Sequence, residues 1–364
     1  MINKEQKKPL KVMVVDDSAF MRRFISDIIN SDADLELVGT ARDGLDALRK
    51  RQQYDPDVIT LDVEMPNLNG LETLKRLMQE KPLPVVMVSS LTREGNEITI
   101  EALSCGAVDF VTKPAIFKGE STAAIREALT LKIKAAAAAR LFQLPAAPLE
   151  PVQPAAFTPL PLQKSPTGRF PRNVVAIGAS TGGPRALDVI FRSFPPGLPA
   201  AFLVTQHMPA GFTESLSRRL NLISELQVRE ARGGEGISEG EAYLAPGGYH
   251  LVVKKNGVTE LSSAPPIQHV RPSADVMMDS LAETFGNLVI GVILTGMGRD
   301  GADGMSRIKE KGGRTICQDP STAVISSMPQ AVINDGMADL VVPLEQVGST
   351  IVRLLRGYTL KERI

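Results

Sequence analysis

Short uninterrupted apolar runs alternate with amphipathic stretches along the first 140 residues. The runs predict strands at Leu10–Val15, Leu35–Gly39, Val58–Leu61, Pro84–Val88 and Val108–Val111. Helical patterns fill the intervals at 18–30, 43–51, 70–80 and 94–104, and Ser121–Phe142, with its run Ala135–Ala139, predicts a closing helix. Strands that lack polar alternation and are separated by helices are buried on both faces, which is the habit of a parallel sheet. The expected fold class is α/β, with a doubly wound domain of five βα units over residues 1–140. Ligands of such sheets gather at the carboxyl ends of the strands.

The pattern then breaks. Eight prolines and only three charged residues lie between Pro145 and Pro171. Proline fixes φ and removes an amide donor, so residues 141–171 read as an extended linker. Downstream the β–turn–α pattern resumes with Val174–Gly178, a glycine-rich turn and Arg185–Phe194. Ala201–Gln206 and Leu288–Leu294 predict further buried strands, and Ala242–Leu261, with Pro-Gly-Gly and Lys-Asn-Gly-Val, predicts a hairpin. Residues 172–364 are therefore expected to form a second α/β domain with a mostly parallel sheet and one antiparallel excursion.

Composition narrows the function classes. With 43% hydrophobic residues the chain is no disordered tail. Lys+Arg and Asp+Glu are both 41, and this zero balance disfavours a nucleic-acid partner. Cys105 and Cys317 form no CxxC pair, which suits a reducing compartment. The lysines of Met1–Lys8 precede no apolar signal core, and no run reaches the roughly 18–20 residues of a membrane span. A cytoplasmic location without membrane insertion is expected.

Candidate chemistry sits at predicted strand ends. Asp16 and Asp17 follow the first strand and Asp62 the third, so three carboxylates should converge. Such a cluster repels itself without a cation, and an all-oxygen site suits Mg²⁺. Ser89 ends the fourth strand and Lys113 follows the fifth, adding a hydroxyl and an ammonium suited to phosphoryl oxygens. Helix capping would explain any one Asp, but not this set of five positions. Val14-Val15-Asp16-Asp17-Ser18, Leu61-Asp62-Val63-Glu64-Met65-Pro66, Ser89 and Thr112-Lys113-Pro114 resemble the response-regulator receiver domain. The resemblance implies Asp62 as phosphoacceptor, with Asp16, Asp17, Asp62 and the Glu64 carbonyl as Mg²⁺ ligands. It further implies Ser89 as switch hydroxyl and Lys113 as phosphate contact, with a histidine kinase as phosphodonor. Phe110 matches the family's aromatic switch position but lacks the hydroxyl of the more usual Tyr.

In the second domain Gly178-Ala179-Ser180-Thr181-Gly182-Gly183 matches G-x-S-x-G, a serine on a sharp strand-to-helix turn. The same turn could cradle a phosphate, which keeps open a non-catalytic module with a nucleotide-binding second domain. Rossmann and P-loop spacings are not met. Of the three histidines, His207 alone follows a buried strand, while His250 begins a hairpin strand and His269 lies in a proline-rich loop. His207 is thus the candidate base. Asp300 and Asp303, in the glycine-rich stretch after Leu294, are both candidates to orient it. No paired His/Glu spacing suits a zinc hydrolase, so no esterase cofactor is expected.

Ile177–Gly183, Gln206-His207-Met208-Pro209, Arg271-Pro272-Ser273 and Leu294–Gly301 resemble the catalytic domain of chemotaxis protein-glutamate methylesterases. The resemblance implies Ser180 as nucleophile, His207 as base, Asp300 rather than Asp303 as orienter, and the Met297 amide as oxyanion donor. It implies hydrolysis of glutamate γ-methyl esters on methylated chemoreceptor cytoplasmic domains, releasing methanol, and deamidation of receptor glutamines. A phosphorylatable domain tethered to such a site is expected to restrain it until phosphorylated.

Overall fold

The computed structural model describes residues 8–113, 122–141 and 171–357. Pro114 and the proline-rich stretch from residue 142 to 170 lie outside the described residues. The chain divides into two compact units, Met1–Leu144 and Pro145–Ile364.

In the first unit, β1 (Leu10–Val15), α1 (Ala19–Asn30), β2 (Leu35–Ala41), α2 (Gly44–Tyr54), β3 (Val58–Asp62), α3 (Gly70–Glu80), β4 (Val85–Ser89), α4 (Arg93–Ser104), β5 (Asp109–Thr112) and α5 (Thr122–Ala137) alternate along the chain. The sheet is wholly parallel, in the order β2-β1-β3-β4-β5. Every residue of β3 and β4 is buried, which is why these segments read as unbroken apolar runs. Ser18 caps α1 by accepting the Met21 amide, so the chain turns directly after the first two aspartates. The closing helix stops at Ala137 rather than Phe142, because its last turn tightens: the amides of Ala138 and Ala139 bond three residues back, to Ala135 and Ala136.

The second unit contains β6 (Val174–Ala179), α6 (Gly183–Arg192), β7 (Ala201–Gln206), α7 (Phe212–Ile223), β8 (Gln227–Glu230), β9 (Glu241–Leu244), β10 (His250–Val253), β11 (Thr259–Ser262), α8 (Ala274–Phe285), β12 (Val289–Ile293), α9 (Ala302–Glu310), β13 (Arg314–Gln318), α10 (Ser327–Asn334), β14 (Leu340–Val342) and α11 (Leu344–Leu355). Seven strands form a parallel sheet in the order β14-β13-β12-β6-β7-β9-β8. The antiparallel excursion is a separate two-stranded sheet, β10–β11, closed by the turn Lys254–Gly257. The expected hairpin over Ala242–Leu261 is therefore half right. The Tyr243 segment pairs in parallel with β7 and β8, and Pro246-Gly247-Gly248 joins two sheets instead of turning one strand back.

Strand β6 lies centrally, between β7 and β12, and all six of its residues are buried. Whatever follows β6, β7 and β12 is brought to one edge.

Candidate active site and acidic pocket

The first unit gathers its carboxylates where the strand order predicts. One oxygen each from Asp16, Asp17 and Asp62 lies within 4.8 Å of the others. Asp16 and Asp62 are buried, whereas Asp17 is exposed. Lys113 reaches in from the end of β5, with Nζ 2.7 Å from Asp62 Oδ2 and 3.1 Å from Asp16 Oδ2. The Ser18 amide donates to Asp16 Oδ1 at 2.8 Å, and the Glu64 amide to Asp62 Oδ1 at 3.3 Å. Burial pushes Asp62 up to about 6, against the pull of Lys113. Burial likewise raises Asp16. Lys113 is raised, because the two carboxylates outweigh its own burial.

Three carboxylates thus face one ammonium, and among the described residues buried Asp16 Oδ2 has no partner besides Lys113. An oxygen-rich pocket with surplus negative charge and an incompletely satisfied buried oxygen fits a hard divalent cation. Glu64 is exposed, and its carboxylate accepts from Ser90 Oγ at 3.1 Å. Ser89 does not turn to the pocket. Its hydroxyl accepts from Thr99 Oγ1 at 2.7 Å and faces the carbonyls of Ser90 and Gly95, against the first turns of α4. Phe110 is buried.

The second unit builds its site from three loops. Ser180 follows β6, and its amide donates to the Thr295 carbonyl at 3.0 Å. Its carbonyl accepts from the Gly183 amide at 2.8 Å and from Gln206 Nε2 at 2.9 Å. Gly182 sits at φ 79°, where a side chain is strained. A Cβ on Gly183 would stand 1.9 Å from Gln206 Oε1, so the turn is as tight as the sequence pattern implies.

His207 lies beside this turn because β7 pairs with β6; its amide donates to the Ala179 carbonyl at 3.1 Å. Its Nε2 is 2.7 Å from Asp300 Oδ2; Asp300 is buried and the His207 side chain is 10% exposed. Asp300 also accepts from Ser273 Oγ (2.7 Å) and from the amides of Ala274 (2.6 Å) and Asp275 (3.1 Å), which open α8. Burial would raise this carboxyl, but His207, Ser273 and the helix amides overcome it and hold Asp300 well below the usual range. Asp275 moves the other way, raised first by burial and then by the charge of Asp300. Asp303 is exposed and pairs with Arg299 at 3.3 Å.

The Ser180 hydroxyl forms no hydrogen bond among the described residues, His207 included. Along the loop after β12 three amides are committed. That of Thr295 bonds Gln318 Oε1, that of Gly296 the Ile325 carbonyl, and that of Gly298 Ser327 Oγ. The Met297 amide has no partner among the described residues, and the residue is 37% exposed. His250 is buried and His269 exposed; neither approaches the Asp300 carboxylate directly. Gln206, Thr295 and Ser273 were not singled out as site residues by sequence reasoning. Only Ser273 left a signal, as a serine preceding an apolar helical run.

An acidic pocket in one α/β unit and a serine turn beside a His–Asp pair in the other suit a hydrolase coupled to a receiver-type domain. Residues 12–125 match the response regulator receiver domain, and residues 175–351 match the CheB methylesterase family. A protein-glutamate methylesterase/protein-glutamine glutaminase of Pyrococcus abyssi is 47% identical over 96% of this chain and 95% of its own length. One of the same name from Symbiobacterium thermophilum is 47% identical over 95% of this chain and 97% of its own. The crystal structure of the Thermotoga maritima CheB methylesterase catalytic domain is 44% identical, covers 50% of this chain and 98% of that one, and superposes with a TM-score of 0.49. This chain belongs to the protein-glutamate methylesterase/protein-glutamine glutaminase family.

Proposed function

We infer that this chain is a phosphorylation-controlled serine esterase that hydrolyses glutamate γ-methyl esters on chemoreceptor cytoplasmic domains to glutamate and methanol, and deamidates receptor glutamines by the same route. The observation that carries the reading is the His207–Asp300 hydrogen bond at 2.7 Å on the strand end adjoining the Ser180 turn.

Asp300 accepts the proton-bearing Nε2 of His207, which leaves Nδ1 as the basic nitrogen. Ser180 Oγ attacks the ester carbonyl while His207 Nδ1 takes its proton. The Ser180 hydroxyl is unbonded without substrate, and catalytic hydrogen bonds of this kind commonly tighten only in the substrate complex. Charge on the carbonyl oxygen needs amide donors. The Ser180 amide is committed to Thr295, whereas the Met297 amide, which the family resemblance implies as oxyanion donor, has no partner among the described residues. Such a donor is typically worth about 3–4 kcal/mol in the transition state. His207 returns its proton to the departing methoxide or, when the substrate is a glutamine, to the departing amide nitrogen, which leaves as ammonia. It then deprotonates the water that cleaves the acyl-enzyme, which restores Ser180 and frees the glutamate.

In the first unit, Asp62 is the phosphoacceptor for a chemotaxis histidine kinase, with Lys113 on the phosphoryl oxygens and Ser89 as the hydroxyl that swings away from Thr99. Asp16, Asp17, Asp62 and the Glu64 carbonyl would hold Mg²⁺, which when bound neutralises charge on the phosphoryl group. A substrate on the cytoplasmic side of receptors places the protein in the cytoplasm. Among the described residues no helix is long and apolar enough to cross a membrane.

A non-catalytic nucleotide-binding role loses ground, because it gives the His207–Asp300 pair no task. Methanol release from a methylated receptor fragment tests the reading. Wild type should turn over and Ser180→Ala should not; equal release by both would remove Ser180 as nucleophile.

A further inference from the structure

His250 has no part in the reaction as described, yet it stands one residue away from the group that orients the base. It opens β10 and is 1% exposed. Its Nε2 lies 3.1 Å from the Pro265 carbonyl, which can only accept, so this nitrogen carries a proton. Its Nδ1 is 3.2 Å from the Ser273 amide, which can only donate, so this nitrogen presents a lone pair. Both ring nitrogens are therefore committed and the ring is neutral, as the Nε2–H tautomer.

Ser273 is the pivot. Its hydroxyl donates to Asp300 Oδ1, and the next two amides, of Ala274 and Asp275, donate to the same carboxylate. Three of the hydrogen bonds that aim and charge Asp300 thus come from a single stretch of backbone, fully buried at Ser273. The fourth bond is that of His207. The first amide of this stretch is held by His250 alone: among the described residues Ser273 N–H donates only to Nδ1. A displacement of Ser273 would move three donors at once.

We propose that His250 is a positioning residue for the esterase, fixing the start of α8 through the Ser273 amide so that Asp300 stays aligned on His207. The chain runs His250–Ser273–Asp300–His207, with links of 3.2, 2.7 and 2.7 Å. His250 touches neither substrate nor Ser180, so it transfers no proton in the reaction. The inference rests on the esterase reading above.

The test replaces one nitrogen at a time in the full chain. In His250→Asn the amide oxygen falls where Nδ1 stands and can still accept from Ser273. In His250→Gln the amide reaches the Nε2 position, preserving the Pro265 bond while leaving Ser273 without an acceptor. His250→Leu removes both. Initial rates of methanol release from a methylated receptor fragment give kcat and KM, and thermal unfolding checks each variant. The expected result is a fall in kcat of about tenfold to a hundredfold for Gln and Leu, the usual effect of losing a partner that orients a functional group from behind. KM should be nearly unchanged, and Asn should hold kcat within a few-fold of wild type. The downfield proton resonance of the His207–Asp300 hydrogen bond should shift in Gln and Leu but not in Asn.

A purely structural role would rank the variants by stability, without the Asn rescue, and that outcome overturns the inference. So does a normal kcat in all three, or an effect confined to KM. Should Gln and Leu fail to fold, ¹⁵N-histidine spectra of the wild type decide: a neutral Nε2–H tautomer at His250 is expected, and an Nδ1–H tautomer overturns the inference. A wild type that releases no methanol defeats the esterase reading instead.

Discussion

At Asp300 a carboxyl that is only 3% exposed is kept ionised by four hydrogen-bond donors, one of them the imidazole it serves. Asp300→Asn should preserve packing but offer its amide in place of an acceptor, disfavouring the tautomer that leaves His207 Nδ1 basic. A loss of roughly 10⁴-fold in kcat is expected, the size seen when a triad carboxylate becomes an amide. A rate within tenfold of wild type would mean that Asp300 does not orient His207.

Its neighbour Asp275 gives a pH prediction of definite sign. The folded chain raises the affinity of Asp275 for its proton, so above the ordinary carboxylate range the unfolded chain has released a proton that the folded chain keeps. Stability contributed by this group therefore falls as pH rises. Asp275→Asn cannot titrate, so denaturant unfolding should show it gaining on wild type between about pH 5 and about pH 8. An equal difference at both pH values would contradict the assignment. At this scale the sequence was partly legible. Residue types after strands pointed to Asp62, Ser180 and His207, but Asp300 and Asp303 stand equally well on spacing. The family resemblance favours Asp300, and the physical difference between the two is burial and the donors that open α8.

Among the elements, β6, β7 and β12 were readable because both faces are buried and polar side chains come only at the carboxyl end of β7. The short strand β9 was misread as part of a hairpin. Four residues carry no periodicity that could distinguish pairing with β7 and β8 from pairing with β10. Helix α8, which supplies the donors to Asp300, was not singled out, although its buried positions 274, 277, 278, 281, 282 and 285 keep helical spacing. The turns are where the elements meet most closely. A Cβ on Gly296 would lie 2.2 Å from Met328 Sδ and 2.7 Å from Ser180 Cβ. Gly296→Ala should therefore push the nucleophile turn out of place and lower kcat/KM by about a hundredfold, the cost of a displacement near 1 Å. Unchanged kinetics in that variant would show that the turn does not depend on this approach.

For the whole molecule, two α/β units and a proline-rich join were evident from the break in pattern at Pro145. What the sequence could not supply was the off-pocket orientation of Ser89, because it depends on a hydroxyl partner, Thr99, ten residues away on α4. Asp62→Asn should abolish labelling by a small phosphodonor such as acetyl phosphate, since no other carboxylate sits at the end of β3. A fragment lacking residues 1–145 should exceed the unphosphorylated full chain in esterase rate and ignore the phosphodonor. A well-folded fragment no faster than the full chain would mean that phosphorylation activates by positive contacts and not by relief of restraint.

The central claim joins the two sites, and one measurement addresses both. Methanol release from a methylated receptor fragment is followed with and without a phosphodonor for wild type, Ser180→Ala and Asp62→Asn. Wild type should release methanol and accelerate on phosphorylation, Asp62→Asn should release it at a rate the phosphodonor does not change, and Ser180→Ala should release none. Acceleration that survives in Asp62→Asn, or release that survives in Ser180→Ala, would contradict the account.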